Sequence, residues 1–206
     1  NDTFIIEGNG HGDIMDGGAG SNTMSFERAD RGVYISLRST TSDRALDGSF
    51  QYNYTRQNIW GVIGSAFADE IRGGAYADVL RGGDGDDLLW GFNGDGLIEG
   101  GAGADDINGE GGVDTASYQS SNAGVYIDLT GGEAFGGHAT GDNIAGIENL
   151  IGSRFADELK GDSGINRIDG GAGDDWIVAT KGADTYVGGE GIDTVDYSDG
   201  FATSGS

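Results

Sequence analysis

The chain has 206 residues, with no cysteine, no proline and a formal charge of -24. A charge of that size repels polyanions, which disfavours nucleic acid as a partner, and it attracts cations that offset the repulsion. Abundant carboxylates with only two histidines favour a hard cation, Ca²⁺ or Mg²⁺, over zinc or copper. No disulfide can form, and no apolar run approaches the roughly 20 residues of a membrane span.

Glycine-rich nonapeptides recur along the chain. Two consecutive units occupy residues 8–25, six occupy 64–117 and five occupy 152–196, which makes thirteen units. Glycine stands at position 1 in twelve units, aspartate stands at position 6 in ten, and position 8 never carries a charged residue. An acidic column two residues before an uncharged, mostly apolar column indicates a true repeat and a solenoid architecture.

Each unit is predicted to form a turn over its first six residues and a short strand over its last three. Glycine tolerates the positive φ values of tight turns, and a strand directs only the middle one of three residues inward. Strands this short are stable only when many of them stack and bury a continuous apolar column. Two units complete one coil, so units eighteen residues apart are expected to stack directly.

Two segments interrupt the repeats, and they are similar to each other. "GVYISL" (32–37) matches "GVYIDL" (124–129), and "VIGSAFADEIRG" (62–73) matches "LIGSRFADELKG" (150–161). The chain is therefore predicted to be a duplication with a period of about 90 residues, and the insertions are expected to prolong the stack with longer strands and a bulging loop. The predicted divisions are a first repeat run at 1–25, an insertion at 26–63, a roll of six nonapeptides at 64–117, a second insertion at 118–151, and a roll of five nonapeptides with a tail at 152–206.

Stacking would bring the position-6 carboxylates of successive coils to about 4.8 Å from one another. Bare carboxylates at this distance repel, whereas a Ca²⁺ ion between two turns would use them as ligands together with backbone carbonyl groups. Ca²⁺ takes six to eight oxygen ligands at about 2.4 Å, which two stacked glycine-rich turns can supply.

The stretches "GGDGDDLLW" (82–90) and "GGAGDDWIV" (170–178) resemble the G-G-x-G-x-D-x-(apolar)-x repeat of RTX (repeats-in-toxin) proteins. The resemblance covers 117 of the 206 residues. It implies an all-β, calcium-stabilised parallel β-roll with two irregular strand-containing insertions. It also implies a secreted bacterial protein, extracellular or on the cell surface, that passes through a type I secretion system and folds on external calcium.

By this resemblance the calcium ligands are the position-6 side chains and the backbone carbonyls near positions 2 and 4. The aspartates are Asp13, Asp69, Asp78, Asp87, Asp105, Asp114, Asp157, Asp175, Asp184 and Asp193. The glycines are Gly83, Gly85, Gly101, Gly103, Gly171 and Gly173. Asp84 and Asp86 are not expected to be ligands, because neither stands at position 6.

Some units depart from the repeat, so uneven calcium affinities are expected. Gly96 and Asn166 replace the position-6 aspartate. Phe67, Tyr76 and Phe155 replace the position-4 glycine in the turns that begin at 64, 73 and 152. Since Phe67 and Phe155 lie in the first turns of their rolls, these turns are predicted to form half-sites or caps.

The first insertion suggests an alternative function. It carries five of the eleven basic residues together with several aromatic residues. Arginine beside aromatic rings suits an acidic polysaccharide, and Arg38, Arg56 and Trp60 are the candidate ligand-binding residues. The competing interpretation is a solvated loop whose arginines balance nearby aspartates.

No catalytic centre is predicted. His11 and His138 are far apart, no HExxH motif is present, and no serine has a convincing histidine partner. Adjacent carboxylates such as Asp86 and Asp87 need no acid–base role if they surround calcium. We therefore expect a non-enzymatic module of a larger extracellular protein, whose partners are calcium ions, the type I secretion machinery through that parent protein, and, in the alternative, a polysaccharide or cell surface.

Overall fold

The computed structural model describes residues 1–6, 11–38, 44–45 and 53–198, and for residues 11–14, 44–45 and 53–55 it describes the backbone alone. Within these ranges the chain forms 22 strands, numbered β1 to β22 along the chain, and a single turn of 3-10 helix at Gly137–Ala139. In this described part, no helix has the length and apolar character needed to cross a membrane.

The strands form two large sheets and one separate pair. The first sheet contains β1 (Thr3–Ile5), β3 (Thr23–Ser25), β7 (Gly61–Ile63), β9 (Val79–Asp84), β11 (Leu97–Ala102), β13 (Thr115–Ser117), β17 (Asn149–Ile151), β19 (Arg167–Ala172) and β21 (Thr185–Glu190). The second sheet contains β4 (Val33–Ser36), β5 (Arg44–Ala45), β8 (Glu70–Arg72), β10 (Leu88–Trp90), β12 (Asp106–Asn108), β14 (Tyr126–Asp128), β15 (Glu133–Phe135), β16 (Asn143–Ala145), β18 (Glu158–Lys160), β20 (Trp176–Val178) and β22 (Thr194–Asp196). The separate pair is β2 (His11–Asp16) and β6 (Asn53–Gln57).

Consecutive nonapeptides enter the two large sheets alternately. In the second sheet, β10 pairs in parallel with β8 and with β12, so Leu88 lies beside Glu70 and Asp106, each eighteen residues away. In the first sheet, β11 pairs with β9 in the same way. The predicted coil of two units, and with it the parallel β-roll, is confirmed.

The core is the column of position-8 side chains between the two sheets. Leu89 is fully buried, whereas its neighbour Leu88 is 37% exposed, as the alternation in a strand requires. The position-8 residues from Met15 to Ile177 are all buried. At the C-terminal end Tyr186 and Val195 are only partly buried, because fewer coils cover them.

The second insertion continues the stack without lengthening its strands. In the first sheet β17 pairs with β13, and in the second sheet β16 pairs with β12 and β14 pairs with β18. The prediction of longer strands is wrong here, since β14 to β17 have three residues each. Because β14 and β16 both run parallel to the roll, the chain must turn back between them. The antiparallel strand β15 makes this return and fills the sheet, with Phe135 stacked on Tyr126.

The described strands of the first insertion also join the roll. Strand β4 pairs in parallel with β8 and antiparallel with β5, while β7 stacks between β3 and β9. Val33 and Ile35 are fully buried, as Val125 and Ile127 nearly are in the second insertion. The predicted similarity of the two insertions therefore extends to their core-facing strands.

Candidate metal centres

The aspartates at position 6 point into the roll. Seven of them are at most 4% exposed, and Asp184 and Asp193 are half-buried. The seven are Asp69, Asp78, Asp87, Asp105, Asp114, Asp157 and Asp175. The side chain of Asp13 lies outside the described residues. Carboxylates are rarely buried unless they are paired or coordinate a metal.

In most of these aspartates one carboxylate oxygen ties the turn to the previous coil, whereas Asp78 Oδ2 accepts the Gly74 N–H of its own turn. Asp87 Oδ1 accepts a hydrogen bond from the Asp69 N–H at 2.7 Å, and Asp105 Oδ1 accepts one from the Asp87 N–H at 2.9 Å. The second roll repeats the contact, with Asp175 Oδ1 accepting from the Asp157 N–H at 2.9 Å. The predicted stacking of position-6 residues eighteen apart thus takes the form of a carboxylate-to-amide ladder.

The other carboxylate oxygen has no hydrogen-bond donor in five of these aspartates. Within the described residues, the buried oxygens without a partner are Asp78 Oδ1, Asp87 Oδ2, Asp105 Oδ2, Asp114 Oδ2 and Asp175 Oδ2. A buried charged oxygen without a partner costs several kcal/mol. The same oxygen is a strong ligand for a cation, so these five atoms mark where a cation would be held.

The glycines of the turns let main-chain oxygens of successive coils stack closely on one another. Gly83 and Gly85 have φ of 118° and 116°, which L-residues with a side chain rarely adopt. A Cβ atom at Gly101 would overlap the Gly83 carbonyl oxygen, and one at Gly103 would overlap the Gly85 carbonyl oxygen. Successive coils therefore stack their carbonyl groups at positions 2 and 4, and the second roll does the same at Gly171 and Gly173.

The glycine at position 1 has a function that the sequence did not indicate. A Cβ atom at Gly82 would overlap Asp87 Oδ2 of its own turn, and one at Gly100 would overlap Asp105 Oδ2. In these two turns position 1 is glycine because the free carboxylate oxygen folds back over it.

The donor set of these turns fits Ca²⁺. It consists of single carboxylates and main-chain carbonyl groups, all of them oxygen donors, with no nitrogen or sulfur. No group of three or more His, Cys, Asp or Glu side chains converges within the described residues. Carbonyl-rich oxygen shells suit Ca²⁺, whereas zinc sites use histidine and cysteine. When bound, the ion would neutralise the carboxylates of neighbouring coils and join them.

The first turns of the two rolls differ from the others. The Ser65 N–H and Oγ donate to the Asp69 carboxylate at 2.5 and 2.9 Å. The Ser153 N–H and Oγ donate to Asp157 at 2.5 and 2.8 Å. Protein donors thus satisfy these two carboxylates, and the interpretation of the first turns as half-sites or caps stays a prediction.

The turns that lead into the first sheet form a less uniform series. Phe92 and Glu110 stand at position 2 with φ of 66° and 63°, so the turn imposes the left-handed conformation even without glycine. Gly96 offers no carboxylate. The Asn166 amide accepts the Asp162 N–H at 3.0 Å and donates to the Glu148 carbonyl at 2.8 Å, so protein groups already satisfy it.

The aspartates at position 5 stabilise the stack from the outside. Asp86 is exposed, and its Oδ1 accepts the Ala104 N–H of the next coil at 2.9 Å. Asp95 and Asp174 make the same contact in their turns. Asp86 and Asp87 therefore face opposite sides of the turn, and only Asp87 has a buried free oxygen.

Sequence reasoning missed two carboxylates in the second insertion. Asp142, only 7% exposed, accepts the Asp105 N–H at 2.9 Å and the Tyr118 hydroxyl at 2.8 Å. Glu148 accepts the Asp114 N–H at 2.8 Å. The signal was present, because each stands two residues before a buried apolar residue, Ile144 or Leu150, as position 6 stands before position 8.

Burial dominates the electrostatics of these groups. Desolvation, followed by the charges of Asp69, Asp105 and Asp86, raises the pKa of Asp87 to about 8. Desolvation raises the pKa of Asp105 to about 7, with Asp142 and Asp86 as nearby charges. Desolvation also raises the pKa of Asp78 to about 6. The metal-free roll therefore resists holding all of its carboxylates ionised at neutral pH.

The prediction that Arg56 binds a ligand is wrong. Arg56 is only 4% exposed, and its guanidinium donates to the Ser36 carbonyl. Desolvation lowers its pKa to about 10. The sequence pattern of arginines near aromatic residues does not indicate which arginine is buried, because burial depends on tertiary contacts.

The other two predicted ligand-binding residues, Arg38 and Trp60, line one cavity of about 320 Å³. Tyr76 packs edge-on against Trp60, with ring centroids 4.3 Å apart, and Asn93 and Asp78 complete the polar wall. Arg38 is exposed, and its Cζ lies 4.4 Å from the centre of the Phe92 ring.

Comparison with known families gives one match. The family model of the RTX calcium-binding nonapeptide repeat matches four copies, at 5–24, 63–98, 90–117 and 160–195. Together these segments make up more than half of the chain and leave 25–62 and 118–159 unmatched. A search of curated proteins finds no match.

Replacing Asp87 by asparagine is expected to weaken calcium binding. The change removes the charge of a buried carboxylate that has a free oxygen, and calcium affinity depends on the charge of the ligands, so the calcium concentration at the folding midpoint should rise about tenfold. Circular dichroism during a calcium titration measures the midpoint. Asp86→Asn is the matched control, because its remaining oxygen can still accept the Ala104 N–H. Equal shifts in the two variants would contradict the assignment.

Calcium binding is also expected to weaken in acid. Since burial raises the pKa of Asp87 from 3.8 to about 8, protonation favours the metal-free folded form below pH 3.8, and this advantage is lost as the pH rises through about 8. Calcium requires the ionised carboxylates, so the midpoint calcium concentration should rise several-fold between about pH 8 and about pH 5. Titrations in matched buffers test this, and a midpoint independent of pH would refute it.

Proposed function

Because the chain belongs to the RTX calcium-binding nonapeptide repeat family, whose repeats bind several Ca²⁺ ions, we propose that it is a structural module that folds on meeting extracellular calcium. The observation that carries this proposal is the set of buried carboxylate oxygens without hydrogen-bond donors. Without a cation these oxygens oppose folding, and with one they become ligands, so binding energy is folding energy.

The proposed setting is a larger bacterial protein exported by type I secretion. Extracellular calcium modules have dissociation constants of about 10⁻⁴–10⁻³ M. A chain with this affinity stays unfolded where calcium is scarce and folds where calcium is abundant. The net charge of -24 adds self-repulsion that supports the unfolded form before export. In this proposal the module is not an enzyme, and any catalysis belongs to other parts of the parent protein.

The calcium switch can be tested by circular dichroism. In excess EGTA the chain is expected to show a coil spectrum, and added calcium should restore the β signal cooperatively. Magnesium at the same concentration is the control, because its strict octahedral geometry fits a carbonyl-rich turn poorly. A chelated chain that keeps its full β signal would refute the proposal.

A second candidate function is the binding of a saccharide, and the cavity beside the first insertion favours it. The cavity combines a wall formed by Trp60 and Tyr76 with polar groups from Arg38 and Asn93. Aromatic rings suit the apolar face of a sugar, while the polar groups suit its hydroxyl or carboxylate groups. The corresponding groove of the second roll contains Thr130, Lys160 and Lys181 and no aromatic residue among the described side chains that line it.

Glycan-array binding at saturating calcium tests this second function. Trp60→Ala and Arg38→Ala are expected to lower the signal at least tenfold, because each removes one wall of the cavity. Trp176→Ala is the control, since Trp176 is 44% exposed in the second roll and lies outside the cavity. Binding that survives both cavity variants, or no binding to any glycan, would rule out this site.

A further inference from the structure

The two rolls meet at the second insertion, where the next repeat unit is missing. Strand β16 stacks on β12 and β17 stacks on β13, in the places where strands of a seventh and an eighth nonapeptide would lie. The carboxylate ladder does not end there. Asp142 and Glu148 accept the N–H groups of Asp105 and Asp114, as a position-6 aspartate would.

Both last aspartates of the first roll have a free oxygen at this junction. Asp105 Oδ2 and Asp114 Oδ2 are buried and have no hydrogen-bond partner within the described residues, and both side chains are 1% exposed. Each pair thus combines a free, buried carboxylate oxygen with a second carboxylate from the insertion. A buried carboxylate oxygen without a donor, close to a second carboxylate, is stabilised by a cation or a proton.

The main-chain oxygens continue across the junction as well. Within the roll, the Gly109 carbonyl oxygen lies 2.8 Å from where a Cβ atom of Gly91 would be. The Gly146 carbonyl oxygen takes the equivalent place above Gly109. The insertion therefore supplies a carbonyl group in the position of the missing repeat, two residues before Glu148.

The first insertion provides a natural comparison. In the first insertion the Trp60 N–H donates to the Asn22 carbonyl, as the Glu148 N–H donates to the Asp114 carbonyl in the second. Asn22 is therefore the equivalent of Asp114, and Trp60 is the equivalent of Glu148. The Asn22 amide is satisfied by the Gly20 and Asn58 carbonyls and by the Asp2 N–H. The pair in the first insertion, Asn22 and Trp60, is therefore uncharged, whereas the equivalent pair in the second, Asp114 and Glu148, consists of two carboxylates.

We propose that the second insertion completes two further divalent-cation sites, one formed by Asp105 with Asp142 and the other by Asp114 with Glu148. Both insertion carboxylates lie outside the residues that the family model matches. The sites extend the proposed calcium function and rest on it. They would bind the two rolls into one continuous calcium-loaded stack, with the insertion as part of the metal-binding structure.

The experiment counts bound calcium ions on the full chain by native mass spectrometry and isothermal titration calorimetry. Asp142→Asn and Glu148→Gln are each expected to bind one ion fewer than the unmodified chain. Glu133→Gln is the matched control, because Glu133 is an exposed carboxylate on β15 of the same insertion, and it should keep the full count. Circular dichroism at saturating calcium verifies that each variant has folded.

A further variant separates binding from folding. Tyr118→Phe removes the hydroxyl that donates to Asp142 but leaves the carboxylate, and Phe26 is the equivalent residue of the first insertion. It is expected to keep the full ion count. If Asp142→Asn does not fold, Glu148→Gln decides alone, because Glu148 is only half-buried.

The outcomes distinguish the two proposals. An unmodified chain that binds no calcium overturns the proposed function and this inference together. A chain that binds calcium, with an unchanged ion count in Asp142→Asn and Glu148→Gln, overturns only the junction sites. Loss of one ion in one variant alone supports the site at that edge and refutes the other.

Discussion

The structure depends on carboxylates that are buried inside a stack of turns, at position 6 of most of the nonapeptides. At Asp87, one carboxylate oxygen accepts the Asp69 N–H while the other has no donor. Burial raises the pKa of this carboxyl group to about 8, so holding its charge in the folded chain is unfavourable. A cation between the coils removes the repulsion and converts the same groups into ligands. In the proposed function the stability of the roll therefore depends on calcium as well as on its apolar column.

The glycines and the core follow from this constraint. Gly82 leaves room for Asp87 Oδ2 and for the Gly100 carbonyl oxygen, and Gly83 and Gly85 adopt the positive φ that the turn requires. Two residues after the ligand, Leu89 enters the core between the sheets. Each unit thus places a ligand at position 6 and an apolar side chain at position 8, two residues apart, so the column of ligands and the column of core residues form together.

The insertions adapt the repeated stack at its ends and in its middle. Ser65 and Ser153 satisfy the first carboxylate of each roll with protein donors. Beyond the first roll, Asp142 and Glu148 continue the carboxylate ladder in a segment without nonapeptides. The duplicated halves therefore share an architecture but differ in charge and in the residues that line their grooves.

The sequence alone determined the register of the repeat, and with it the parallel roll, the buried column and the distinction between Asp87 and Asp86. A period of nine residues is enough for this, because every unit repeats the same local contacts. It did not determine the antiparallel return through β15, the burial of Arg56 or the part played by Asp142. These depend on which non-repeating segments meet, as at Arg56 and Ser36, which are 20 positions apart, and at Asp105 and Asp142, which are 37 positions apart. Only the tertiary structure brings such segments together, since no local period specifies their contacts.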